Sequence, residues 1–256
     1  MHKFILNQEK FQKIAKMIDV MKEVKNQGAD IVVFHEMFFC DYYVRNIKEY
    51  SEQIPGSTTN IISKKAKEMN INVIFGIGEI LSGKQYNTSV IIDNYGKIIG
   101  KYHKTHLSNV ERDGKIQKEI DVFEPGEGYP VFVTSLGCFG MMICKDGFYF
   151  EVPLILGLKG CEILFWLINR HETAKEYAIV ISSQIKACLV VCNRAGNGIE
   201  GGGSCIIDRG KLLSQARKEE TVIIGDINLI EIRSSQENWW KIQHKRRPST
   251  YKEIIK

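Results

Sequence analysis

Three residues of this sequence sit where apolar, strand-like runs end, and their chemistries complement one another: Glu36, Lys104 and Cys144. A free thiol with a pKa of about 8.5 is only a few per cent thiolate at neutral pH, so a nucleophilic Cys needs a base beside it. A carboxylate in dry surroundings can be that base. An ammonium keeps the charge of such a cluster tolerable and stabilises an oxyanion. Each residue also has a plainer reading: Glu36 as a cap or ion pair, Lys104 as an exposed lysine, Cys144 as an inert buried thiol. Together they make a complete hydrolytic set.

The elements that must position them read as α/β. Residues 9–27 carry Phe11, Ile14, Ile18, Met21 and Val24 at helical spacing, and Gly28 stops that helix. Ile31-Val32-Val33-Phe34 is a continuous apolar run, as expected of a strand buried on both faces, and Glu36 lies just past it. Ser57 is the expected cap of a second helix with Ile62, Ala66 and Met69 inward. Strands are expected at 71–77, 86–93 and 97–102, the last two joined by Asn94-Tyr95-Gly96. The polar stretch 105–129 reads as a functional loop. Strands at 131–133 and 138–144, a helix near 150–159, a strand at 162–167, a helix at 172–187 and a strand at 189–193 follow. Candidates at 204–208, 212–216 and 221–228 close a single domain, 1–256, of about ten strands and four helices.

Composition excludes several classes. With 256 residues, 44% hydrophobic, 25% charged and 5 Pro, the chain is neither disordered nor a small disulfide scaffold. Residues 241–256 alone supply the net charge of +5, so the rest sums to zero and a nucleic-acid-binding face is not expected. No apolar run reaches the roughly 18 residues of a membrane span. Seven Cys, an odd number set mostly in apolar runs, suggest reduced thiols and a cytoplasmic protein. Gly76-Ile77-Gly78 lacks a third glycine for a dinucleotide loop, and Gly196 to Gly203 lacks Gly-Lys-Ser/Thr. His103 and His106 flank Lys104 at a spacing that could bind metal, but no Cys or carboxylate pair completes a site nearby, so no metal or cofactor is expected.

The blocks Gly28 to Glu36, Tyr86-Asn87-Thr88 through Gly96 to Lys104-Thr105-His106-Leu107, and Ile143-Cys144-Lys145-Asp146 resemble the Glu, Lys and Cys signatures of the nitrilase superfamily of carbon–nitrogen hydrolases. Cys192-Asn193-Arg194-Ala195-Gly196, Gly203 to Asp208, and Arg246-Arg247-Pro248 with Tyr251 resemble its later segments. The resemblance implies a four-layer α-β-β-α sandwich whose subunits pair through outer helices into a homodimer or larger homo-oligomer. It implies Glu36 as general base, Lys104 as oxyanion and orientation residue, Cys144 as nucleophile, and Glu119 as a second glutamate beside them. Lys145 through its backbone N–H, Tyr42, Phe148 and Asn169 are the expected substrate contacts. The implied reaction is hydrolysis of a small amide by water through a thioester, without metal or organic cofactor. N-carbamoyl or nitrile hydrolysis, a non-catalytic scaffold of the same fold, and a Cys-His protease are the alternatives.

Some positions depart from the family pattern. His35 replaces a Pro before Glu36, Phe150 replaces a Pro before Glu151, and only Met1 to Leu6 is available for a strand ahead of the first helix, with Phe4-Ile5-Leu6 as its fragment. Gly147, Phe148 and Tyr149 stand where relatives acting on carboxylate-bearing substrates place an Arg clamp. That predicts a neutral or apolar acyl group, unless Arg170 or Arg194 reaches the pocket.

Overall fold

The structure, a computed structural model, describes residues 8–40, 47–112, 115–196 and 201–255. Its first sheet has the order β1-β2-β3-β4, formed by Ile31–Val33, Asn72–Leu81, Lys84–Ile92 and Ile98–His103. β1 and β2 are parallel and the other pairs antiparallel. Side chains alternate across it with the period of a pleated strand. Val73, Phe75, Ile77, Val90 and Ile92 pack against Ile14, Met17 and Met21 of helix α1 (Gln8–Asn26), and against Ile62 and Ala66 of a later helix, Ser57–Met69. Ile74 and Ile91 point the other way. A single turn, α2 (Ile47–Tyr50), precedes that later helix, which is α3.

A hairpin, β5 (Asn109–Arg112) with β6 (Lys115–Lys118), connects to the second sheet. That sheet has the order β12-β11-β10-β9-β8-β7, from β7 (Val131–Thr134), β8 (Gly137–Ile143), β9 (Ile163–Leu167), β10 (Cys188–Cys192), β11 (Cys205–Asp208) and β12 (Lys211–Gln215). β8, β9 and β10 run parallel. Phe139, Met141, Ile143, Phe165 and Leu167 meet Ile74, Ile91 and Tyr102 between the sheets. Met142, Leu164, Trp166, Leu189 and Val191 face outward onto α4 (Glu151–Leu158), α5 (Lys175–Ile185) and Trp239 of α6 (Leu229–Gln243). The stack is therefore α-β-β-α, as the resemblance implies. Two-sided burial explains why β8 and β9 read as unbroken apolar runs.

The structure corrects the sequence reading in five places. β2 and β3 run on to a two-residue turn at Ser82-Gly83, where both φ values are positive. The stretch 105–129 holds the β5–β6 hairpin and a 3-10 turn, Glu119–Asp121, so it is partly regular. Ser57 does not cap α3. The Glu52 carboxylate accepts from the N–H groups of Thr58 (2.8 Å) and Thr59 (3.3 Å), and the Ser57 hydroxyl donates to it (2.9 Å). Residues 221–228 enter no ladder among the described residues, although Val222 joins the helix-side cluster and Ile223 and Ile227 the inter-sheet cluster. Finally, α6 was not expected from the sequence. The proposed strand fragment Phe4 to Leu6 lies outside the described residues. β1 pairs on one side with β2; on its other side, Ile31 to Phe34 and residues 221–227 line a cavity of about 970 Å³ among the described residues.

Candidate active site

Glu36, Lys104 and Cys144 each follow the carboxyl end of a strand: β1, β4 and β8. The Glu36 loop is docked by backbone hydrogen bonds, Phe34 N–H to Ile74 O (2.8 Å) and Phe38 N–H to Gly76 O (3.0 Å). The approach is close enough that a Cβ on Gly76 would lie 2.7 Å from Glu36 Cα, which requires glycine there. The Lys104 N–H donates to Asn87 O (2.9 Å), continuing the sheet one residue past β4. Cys144 opens a 3-10 turn, Cys144–Phe148, with φ +42°, a strained value for a side-chain-bearing residue. The indole N–H of Trp166 donates to its carbonyl (2.9 Å), and Gly147 lets that indole lie flush, since a Cβ would fall 2.1 Å from the ring.

Asp146 ties two of these loops together. Its carboxylate accepts from the Ile143 N–H (2.9 Å) on the Cys144 side, and from the Tyr102 hydroxyl (2.7 Å), the Thr105 hydroxyl (2.9 Å) and the His106 N–H (3.0 Å) on the Lys104 side. Asn169, two residues past β9, donates to the Glu36 carbonyl (3.2 Å) and joins the second sheet to the Glu36 loop.

The side chains converge. Lys104 Nζ donates to Glu36 Oε1 and to Glu119 Oε1, each at 2.9 Å, and all three residues are buried. Asn87 donates to the same Glu36 Oε1 (2.8 Å), whereas Glu36 Oε2 is buried without a hydrogen-bond partner. Burial alone would favour neutral Lys104, but the charges of Glu36 and Cys144 and the Glu36 hydrogen bond outweigh it and hold its pKa above the usual value. One ammonium thus serves two buried carboxyl groups. Burial and the Glu36 charge push Glu119 up to about 9, against the opposing Ser108 N–H, so Glu119 is protonated at neutral pH. The Cys144 thiol is pushed up to about 12, first by burial and then by Glu36, with Lys104 and Arg170 pulling it down. Cys144 itself keeps a partly exposed surface. The resting site is therefore a thiol at the rim of a buried carboxylate–ammonium pair, with a protonated acid behind it.

The remaining expected contacts fall differently. Phe148 forms an aromatic wall with Trp166 (6.0 Å between centroids) and Tyr177 (4.7 Å). The Lys145 side chain is exposed, its ammonium 5.5 Å from the Phe148 ring, which leaves only its backbone for the site. Tyr42 lies outside the described residues. Residues 147–149 carry no guanidinium; Arg170 stacks on Phe148 at 4.5 Å, pairs through Nη2 with Glu172 (3.3 Å) and has a buried Nη1 without a hydrogen-bond partner. His103 bonds Glu79 (2.7 Å), and His106 bonds Asp146 (3.0 Å) and stacks on Tyr149, so each ring already has a carboxylate partner. The sequence reading missed Asn87 and Asp146, although both stand inside motifs it singled out.

Comparison with known proteins agrees with this fold. The profile of the carbon–nitrogen hydrolase family matches residues 6–237. The omega-amidase NIT2-B of Xenopus laevis is 30% identical over 97% of this chain and 94% of its own length. A carbon–nitrogen hydrolase from Helicobacter pylori superposes with a TM-score of 0.82 at 22% identity, covering 97% of this chain and 94% of that one. A Glu→Gln mutant of an amidase from a Nesterenkonia species, with the acetamide moiety of fluoroacetamide added covalently at its active-site cysteine, superposes with a TM-score of 0.77 at 15% identity over 99% and 94% of the two chains.

Proposed function

The chain belongs to the carbon–nitrogen hydrolase family, and from that premise we propose that it hydrolyses the C–N bond of a small amide through a Cys144 thioester. The observation that carries this reading is the buried Glu36–Lys104 pair, whose charges act on the Cys144 thiol, with the Glu119 carboxyl held by the same ammonium. Glu36 takes the thiol proton as sulfur attacks the amide carbonyl, and the electron pair of the carbonyl moves to oxygen. The Lys104 ammonium and the Lys145 N–H, at the start of the 3-10 turn, stabilise that oxyanion. Glu36 returns the proton to the departing nitrogen, which leaves as ammonia or amine. It then takes a proton from water, whose oxygen attacks the thioester carbonyl; the C–S bond breaks, the carboxylic acid leaves, and Glu36 hands its proton back to the Cys144 sulfur. Glu119, protonated, holds Lys104 without adding a competing charge. Nothing in this route requires a metal or organic cofactor.

The acyl group is read from Arg170. A buried guanidinium nitrogen without a partner beside Phe148 suits a carboxylate at the far end of the acyl chain. The substrate class is then an amide whose other end is acidic, which the omega-amidase relative supports, rather than the neutral acyl group that residues 147–149 alone suggest. Ammonia release from propionamide, succinamic acid, an N-carbamoyl amino acid and a nitrile tests this. Succinamic acid is expected to lead by at least about tenfold in kcat/KM, with no release by Cys144→Ala. Faster turnover of propionamide than of succinamic acid would remove the carboxylate reading, and full activity of Cys144→Ala would remove the mechanism.

Pairing of subunits through the outer helices is supported by exposed Phe150, Tyr177 and Val180 around α4 and α5, and sedimentation tests it. No helix among the described residues is long and apolar enough to cross a membrane. An odd number of cysteines, seven, set mostly in apolar runs supports a reducing, cytoplasmic location.

A further inference from the structure

We propose that Asn87 is a positioning residue of the reaction: it pins one oxygen of Glu36 so that the other, Oε2, is the proton acceptor. This rests on the reading of Glu36 as base, and it assigns a role to a residue that makes no covalent contribution.

The two oxygens of the Glu36 carboxylate are unlike. Oε1 accepts from Asn87 Nδ2 at 2.8 Å and from Lys104 Nζ at 2.9 Å. Oε2 is buried and accepts from no group. Two charge-assisted hydrogen bonds on one oxygen draw electron density to it and fix the rotation of the carboxylate plane. A proton is then transferred to the oxygen whose lone pairs are unoccupied. In the step itself the Cys144 S–H bond breaks, an Oε2–H bond forms, and the electron pair stays on sulfur for attack. Lys104 alone cannot fix that choice, because its ammonium is shared with Glu119 and sits on a long flexible stem. Asn87 supplies the rigid half of the clamp. It lies in β3 between β2 and β4, and its carbonyl holds the Lys104 N–H at 2.9 Å. One strand residue therefore sets both the backbone of the lysine and the orientation of the glutamate.

The placement has a cost that structure alone does not offset. Asn87 is buried and its Oδ1 has no partner. An unsatisfied buried amide oxygen destabilises a fold, so a residue chosen only for packing at this position would be smaller or apolar. Its donor side accounts for its presence.

The experiment uses the intact chain and reads the thiol directly, by the rate of Cys144 alkylation with iodoacetamide across pH, alongside amide turnover and thermal melting. Asn87→Ser draws the donor back out of reach, and Asn87→Leu removes it in about the same volume. Removing a donor makes the carboxylate hold a proton more readily, so the acid limb of both profiles moves to higher pH, further for Leu than for Ser. Alkylation near neutral pH falls about tenfold in Asn87→Leu, and kcat falls with little change in KM. Asn87→Leu also removes the unpaired amide oxygen, which keeps the comparison valid if the serine variant is unstable. A wild-type rate and limb in Asn87→Leu overturn the proposal, as does a slower rate with an unmoved limb, which marks a structural role only. Glu36→Gln separates the two levels. If it alkylates as fast as wild type, the base reading itself fails; if it is slow while the Asn87 variants match wild type, only the positioning role fails.

Discussion

The two sides of β1 meet opposite conditions. On the β2 side, three residues of strand dock the Glu36 loop on Gly76 with no space for a methyl group. On the other side the same strand lines a cavity of about 970 Å³, faced by residues 221–227 that enter no ladder. The β2 flank is closely packed, whereas the other flank, lined by apolar Phe165, Val190 and Ile223 together with charged Lys16, Glu23 and Glu220, leaves open space among the described residues. The tight flank is the one where a displaced atom changes chemistry, while the loose flank only changes the stability of the fold.

Four changes test that contrast, in decreasing order of effect. Glu36→Gln, on the tight flank, is expected to lower kcat/KM about a thousandfold in an ammonia-release assay, the scale of a lost general base. Gly76→Ala forces a Cβ to within 2.7 Å of Glu36 Cα, so the loop must shift. About a hundredfold loss in kcat is expected, since displacement near 1 Å costs that much; activity within twofold of wild type would show that the flank is not tight. Glu119→Gln acts through pH. Folding raises this carboxyl from 4.5 to about 9, so across that window the folded state keeps a proton that the unfolded chain has lost. Wild-type stability therefore declines as pH rises through it, and denaturant melts of Glu119→Gln should lack that decline. The same variant should lose the fall in activity above about pH 9. Ala216→Leu, which fills the loose flank, should raise stability by about 1 kcal/mol and leave kcat unchanged; a changed kcat would couple the cavity to the site.

Much of this arrangement is legible in the sequence, for identifiable reasons. The strands that carry Glu36 and Cys144 are buried on both faces, so their runs are continuous and their ends sharp. Residues 221–228 show why pattern is not pairing: the alternation of Val222, Ile223 and Ile227 between two clusters is that of a strand, but ladder hydrogen bonds need a partner at the right spacing. The α6 helix escaped notice because its buried stripe is Ile232, Gln236 and Trp239, with a glutamine that bonds the Cys161 carbonyl (2.8 Å) where an apolar residue would announce a helix. The Ser57 cap was displaced by a carboxylate five residues upstream, a contact that depends on how the chain turns through Pro55-Gly56. Asn87 is visible as a residue but not as a role, because its partner lies 51 residues away.

The hydrogen bonds that assemble this site join residues far apart along the chain. Lys104 and Glu36 are separated by 68 positions, Asn169 and Glu36 by 133, and Cys192 donates to the Val33 carbonyl across 159. Contacts of such span close large loops and form late, after local hairpins and helices. During refolding from denaturant, recovery of a reactive Cys144 should therefore lag behind recovery of helical circular dichroism, so that turnover serves as a clock for the last docking of one sheet on the other.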